Sequence, residues 1–246
     1  MKKIIFFLCL ASLFWIGVAE ATKKETKKIS QPAKKKITAT SWVVVDEFGK
    51  VLKGQDINDT HSIASITKLM TAMVILDANQ NLDEQLENYT RRQHILLSLV
   101  RSDNYSSNLL CDYFIGGYDD CIKAMNVKAS KLGMKDTIFV DASGLDEHNL
   151  STASDLIKMV QAAQFYPLIV QSSSNRAVKI KGIVYRNTNP LINEKNKFLV
   201  SKTGWTRAAG GCLAIMTEKK KIAIVLNSRS VKTRIPEIQY LVKSYN

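Results

Sequence analysis

The chain has 246 residues, 46% of them hydrophobic and 8% aromatic, which allows one sizeable core or at most two small domains. Its formal charge of +13 is uneven: a block from Lys23 to Lys36 sets seven Lys against Glu25, and with the leader removed the remainder is only moderately basic. No apolar run after the first twenty residues is long enough to span a bilayer.

Met1-Lys2-Lys3 is a short basic start, and Ile4 to Ala19 is almost unbroken apolar. Ala19-Glu20-Ala21 then offers small residues at the two positions a signal peptidase reads, so residues 1–21 have the layout of a secretory signal peptide. A retained N-terminal anchor is the alternative, for which the run is short. Either way the working part lies outside the cytoplasm, and a periplasmic location is expected. Nucleic acid is therefore not an expected partner. Residues 22–38, Lys-rich with Ser30, Gln31 and Pro32 and no apolar periodicity, read as a linker. Such a linker is either simply solvated or weakly drawn to anionic envelope surfaces. The catalytic domain is expected over residues 39–246.

Trp42 to Asp46 is a β-branched run, Glu47-Phe48-Gly49 a turn and Lys50 to Lys53 a return, a hairpin signal. Ser65 to Leu76 is a helix apolar around its whole circumference, as expected of one at a domain centre. Further helices are expected at Arg92–Val100, Tyr105–Phe114, Asp119–Leu132 and Thr152–Phe165, the last with Ser151 as N-cap and Pro167 beyond its end. Ala177–Lys181, Phe198–Ser201, Gly211–Thr217 and Ile222–Asn227 look like strands, and Ile235–Tyr245 like a final helix. The simplest assembly is one mixed α/β domain, its first hairpin joining the late strands in a single antiparallel sheet covered by helices.

Beyond Cys9 in the leader there are three cysteines. Cys111 and Cys121 bracket Gly116-Gly117, so a turn can bring them together, and a bridge or two free thiols are both open. Cys212, among Leu213, Ala214 and Ile215, reads as a buried thiol that packs as a small hydrophobe. His61, His94 and His148 are scattered with no metal-ligand spacing, and no metal or cofactor is expected.

Three short motifs carry chemistry. Ser65 and Lys68 lie three apart on one face of the buried helix. Burial lowers the lysine pKa, and a lysine so tuned can deprotonate a neighbouring hydroxyl. Ser65 also sits at the helix start, beside backbone N–H groups able to hold an oxyanion. Ser102-Asp103-Asn104 occupies a loop opening the next helix. Lys202-Thr203-Gly204 ends a strand, where Lys and Thr supply donors for a carboxylate and Gly lets substrate backbone lie close. Each motif alone is weak; the three in this order are the signature of penicillin-binding proteins and class A β-lactamases.

With those triplets, and with SIASITKLMTAMVILDA, MNVKASKLGMKDTIFVDASGL, NLSTASDL, NTNPLI and SKTGWTRAAGGCL, the chain resembles the low-molecular-weight penicillin-binding proteins over nearly all of Ser41 to Val242. It looks most like their single-domain murein DD-endopeptidase branch. The resemblance implies a five-stranded antiparallel sheet flanked by helices and an acyl-enzyme on Ser65, with Lys68 as base and Ser102 passing a proton to the leaving amine. It implies that Asn104 holds the substrate amide, that Lys202 and Thr203 bind its carboxylate beside Gly204, and that the N–H groups of Ser65 and Trp205 form the oxyanion hole. Arg234 aligns with a carboxylate-binding arginine. The implied partners are peptidoglycan stem peptides and, as covalent inhibitors, β-lactams; a monomer is expected. Two features depart from the pattern: the segment from Leu82 to Ser102 is short, and Trp205 is bulkier than the residue usual after K-T-G. An endopeptidase is the leading reading, a D-alanyl-D-alanine carboxypeptidase the next. A β-lactamase would need a deacylating glutamate, and Glu147 with Asn149 has the wrong spacing. An inactive wall-binding module has no use for a lysine buried beside a serine.

Overall fold

In this computed structural model, residues 37–245 are described; the leader and most of the linker lie outside them. The chain opens with β1 (Ser41–Val45) and β2 (Val51–Gln55), then β3 (His61–Ser62), a 3-10 turn at Ala64–Thr67 and α1 (Lys68–Asp77). The short strands β4 (Gln85–Leu86) and β5 (Tyr89–Thr90) lead into α2 (Arg91–Leu96), a π-helical turn at Leu97–Arg101, α3 (Asn104–Asp112) and α4 (Tyr118–Lys131). After β6 (Leu150–Ser151) come α5 (Ala153–Ala163) and α6 (Pro167–Ser174), then the β7 (Ala177–Ile180) and β8 (Ile183–Arg186) hairpin. Three long strands, β9 (Phe198–Thr206), β10 (Gly210–Thr217) and β11 (Ile222–Ser228), precede α7 (Arg234–Ser244).

The main sheet is antiparallel throughout, in the order β2-β1-β11-β10-β9. Its central strands are buried on both faces, and the two-residue alternation divides their side chains between two cores. Val43, Val45, Ala214, Met216, Ile224 and Leu226 face the core built with α1, α3, α4 and α5. Trp42, Val44, Leu213, Ile215, Ala223 and Val225 face Ile238 and Leu241 of α7. The expected mixed α/β domain with a five-stranded antiparallel sheet flanked by helices is the fold observed.

Several local expectations are corrected. The helix expected from Ser65 is α-helical only from Lys68; the residues before it form a tighter 3-10 turn, with Ala64 at φ 47°. Arg92–Val100 passes from α into π geometry at Leu97. The cap of α5 is Thr152, whose side chain accepts from Asp155 N, and not Ser151, which pairs in β6. Pro167 lies beyond the end of α5 as expected, and it also opens the unexpected α6 at its first turn, where its missing N–H is harmless. Lys202-Thr203-Gly204 does not end its strand; β9 runs on to Thr206. Of the two alternatives open for Cys111 and Cys121 the bridge is the one observed, and Cys212 is buried and free as expected.

Candidate active site

Three elements converge. The 3-10 turn and first turn of α1 bring Ser65 and Lys68, the loop before α3 brings Ser102 and Asn104, and β9 brings Lys202, Thr203, Gly204 and Trp205. Lys68 is fully buried. Its Nζ is 2.9 Å from Ser65 Oγ and 2.7 Å from Asn104 Oδ1, and also bonds the Ser143 carbonyl oxygen. A neutral amine has two N–H donors and one lone pair. Asn104 Oδ1 and Ser143 O can only accept, so they take the two hydrogens and leave the lone pair for the Ser65 hydroxyl. Burial brings the Lys68 pKa down to about 7, against the opposing pull of Asp141 and Asp103.

Ser102 is held in the left-handed region, φ 62°, a strained conformation for a residue with a Cβ. The strain aims its hydroxyl at Lys202, whose Nζ donates to Ser102 Oγ over 2.8 Å and to Thr203 O over 2.9 Å. Asp103 is the cap of α3, accepting from Ser106 N at 2.7 Å, and so fixes the strained serine before it and Asn104 after it. Lys202 is buried, and burial with the nearby charges of Lys68 and Arg234 pushes its pKa well down. A bound carboxylate would relieve that. Thr203 Oγ1 lies 2.6 Å from Thr188 Oγ1.

Gly204 has a packing role that the motif alone does not show. A Cβ there would stand 2.8 Å from Ile63 O and 3.1 Å from Ser65 N. The missing side chain therefore lets β9 lie directly on the turn that carries Ser65. Arg234, at the start of α7, is buried and donates from Nη1 to Gly204 O at 2.5 Å, bracing the same stretch of β9. Trp205 is exposed beside the cleft. The outer edge of β9 is covered by α6, where Ser173 Oγ accepts from Ser201 N and Ser174 Oγ donates to Phe198 O.

Sequence reasoning missed Asp141, Ser143, Thr188 and the capping role of Asp103. Glu147 is exposed on a turn, and Asn149 is buried with Oδ1 accepting from Val140 N and Asp141 N.

Two regions of the chain, residues 25–87 and 82–230, match the family described as D-alanyl-D-alanine carboxypeptidase, peptidase S11. The chain belongs to this family. It is thus a serine-type DD-peptidase, and its relatives carry both endopeptidase and carboxypeptidase names. It is 36% identical to the D-alanyl-D-alanine endopeptidase of Escherichia coli K12, over 88% of this chain and 80% of the relative. To the D-alanyl-D-alanine endopeptidase of Pseudomonas aeruginosa it is 37% identical, over 85% and 77%. Among solved structures, penicillin-binding protein D2 of Listeria monocytogenes with cefotaxime bound is similar at a TM-score of 0.77 and 28% identity, covering 87% of this chain and 98% of that one. The Streptomyces K15 DD-transpeptidase shares the fold at a TM-score of 0.79 and 24% identity, covering 86% and 98%.

Proposed function

We propose that this DD-peptidase is a periplasmic endopeptidase that cuts D-alanyl bonds in peptidoglycan cross-links through an acyl-enzyme on Ser65. The observation that carries the chemistry is the buried Lys68 amine, whose two acceptors leave its lone pair on Ser65 Oγ. In this reading Lys68 takes the Ser65 proton as Oγ attacks the D-alanyl carbonyl carbon. The oxyanion is held by the N–H groups of Ser65 and Trp205. Ser201 turns its N–H out of the sheet towards Ser173, and strand alternation puts the Trp205 N–H on that same outer edge of β9.

Ser102 then hands a proton to the leaving amine nitrogen, the C–N bond breaks, and an ester remains on Ser65. The proton that Lys68 took from Ser65 replaces the one Ser102 gave up, so the transfer balances, while Lys202 keeps its charge and holds the Ser102 hydroxyl in place. Asn104 gives Oδ1 to Lys68, which frees its Nδ2 to hold the substrate amide. Lys202 and Thr203 bind the substrate carboxylate, while Arg234 contributes by bracing Gly204 and by its charge. Water attacks the ester in the second half-reaction. β-Lactams, whose strained amide imitates the substrate, acylate the same oxygen. The endopeptidase names of the two relatives above support cross-links over a terminal D-alanine. The signal-peptide layout supports export.

Incubating the protein with cross-linked dimers and with pentapeptide monomers tests the assignment. Dimers should be consumed first; trimming of monomers alone would make it a carboxypeptidase. Labelled penicillin should mark the parent and not Ser65→Ala, and equal labelling would refute Ser65 as the nucleophile.

A further inference from the structure

The Lys68 amine depends on a carbonyl from a loop outside the three motifs. That loop is organised by one carboxylate. Asp141 Oδ1 accepts from Ser143 N at 3.1 Å, Gly144 N at 2.6 Å and Asn149 Nδ2 at 2.5 Å. Oδ2 accepts from Leu145 N at 3.1 Å, Asp146 N at 3.0 Å and Ser143 Oγ at 3.1 Å. Four consecutive N–H groups pointing at one carboxylate leave the intervening carbonyls facing the other way. Those carbonyls meet α1: Ala142 O accepts from Thr71 Oγ1 at 2.7 Å, and Ser143 O accepts from Lys68 Nζ. Lys68 and Thr71 are one helical turn apart, so adjacent carbonyls of the loop are read by adjacent turns of the catalytic helix.

The loop is also keyed to the nucleophile. Gly144 has φ +77°, and a Cβ on it would fall 2.0 Å from Ala64 O. Asn149 O accepts from Ile63 N at 3.1 Å. The carboxylate, the base and the turn bearing Ser65 thus form one closed hydrogen-bonded unit.

We propose that Asp141 is a positioning residue of the acylation step: it sets the Ser143 carbonyl as the second acceptor on Lys68 Nζ and thereby directs the amine's lone pair to Ser65 Oγ. The inference rests on the reading of Lys68 as base to Ser65. Asp141 also acts on Lys68 through its charge. The groups facing that amine are Asp141 from the loop, Asp103 from the cap of α3 and Lys202 from β9, and the two carboxylates favour its protonated form. Asp141→Asn therefore has two separable effects. Loss of orientation lowers the limiting acylation rate, and loss of a negative charge lets Lys68 deprotonate at lower pH.

The test is stopped-flow acylation of the full chain by a fluorescent penicillin across pH 5–9, comparing the parent, Asp141→Asn, Asn149→Ala and Ser65→Ala. Asp141→Asn should acylate at least roughly tenfold more slowly, since small misplacements of reacting groups are costly. Its non-covalent binding constant should be unchanged and the acid limb of its profile displaced to lower pH. An unchanged rate, or a slower rate with the limb unmoved, would overturn the proposal, the second by making Asp141 a folding residue only. If Asp141→Asn fails to fold, Asn149→Ala decides. That change removes a donor to the carboxylate and should slow limiting acylation with binding intact; parental acylation there would also overturn the proposal. Ser65→Ala keeps the two failures apart: if it labels, the nucleophile is wrong, and if it does not, only the role of Asp141 is at issue.

Discussion

A lysine placed at the centre of an apolar helix is costly unless it can shed its charge, and in the proposed mechanism that cost at Lys68 becomes the chemistry. The acylation rate should rise with pH through a midpoint near 7, because the reactive form is the neutral amine and burial brings Lys68 to about 7. A rate flat between pH 6 and 8 would contradict that base. Gly204 sets a second limit at the same scale. Gly204→Ala should push β9 off the Ser65 turn, destabilising the fold by about 1–3 kcal/mol and slowing acylation by roughly a hundredfold. Thermal melts and penicillin labelling measure the two effects. Ser65, Lys68, Ser102 and Lys202 were all legible as residues, because their spacing along the chain carries the pattern. Asp141 and Ser143 were not. A backbone carbonyl has no residue type, and the aspartate acts only through the turn it folds.

At the scale of elements, the strong periodic signals were sound and the boundaries were not. The hairpin, α4, α5 and the long strands follow from local patterning, as does the buried α1. The 3-10 entry to α1 was invisible, since it exists to let Gly204 and Gly144 close against Ile63 and Ala64. Likewise α6 hid behind Pro167, a residue that stops a helix it follows and starts one it enters. The bridge from Cys111 at the end of α3 to Cys121 in α4 closes a short loop through Gly116 and Gly117, both at positive φ. Replacing both cysteines by Ser should lower stability by about 2–3 kcal/mol and leave acylation near the parental rate, since the bridge touches none of the site residues. Calorimetry with penicillin labelling checks this; a loss of labelling in folded protein would tie the bridge to the site.

At the scale of the whole molecule, the placement of Glu147 bears on the fate of the proposed acyl-enzyme. With Glu147 exposed on its turn, a penicilloyl adduct should persist on Ser65 long after free drug is removed, as intact-mass spectrometry would record. Rapid return to the unmodified mass would make the chain a β-lactamase. The charge distribution makes a separate prediction. Deleting residues 23–36 removes a net +6 and should weaken retention on isolated anionic wall material at low salt, without altering acylation. Retention that is equal with and without the segment would leave it a plain linker.

The amino-acid sequence by itself determined the reaction class, the residues that meet at the candidate site, and the mixed α/β architecture. These depend on residue type, on spacing within elements and on the order of the three motifs along the chain. Only the tertiary structure decided how the Lys68 amine is held, why Gly204 has no side chain, and which way Arg234 points. Each of those depends on backbone atoms brought together from segments distant along the chain, and no local pattern encodes where a carbonyl will lie.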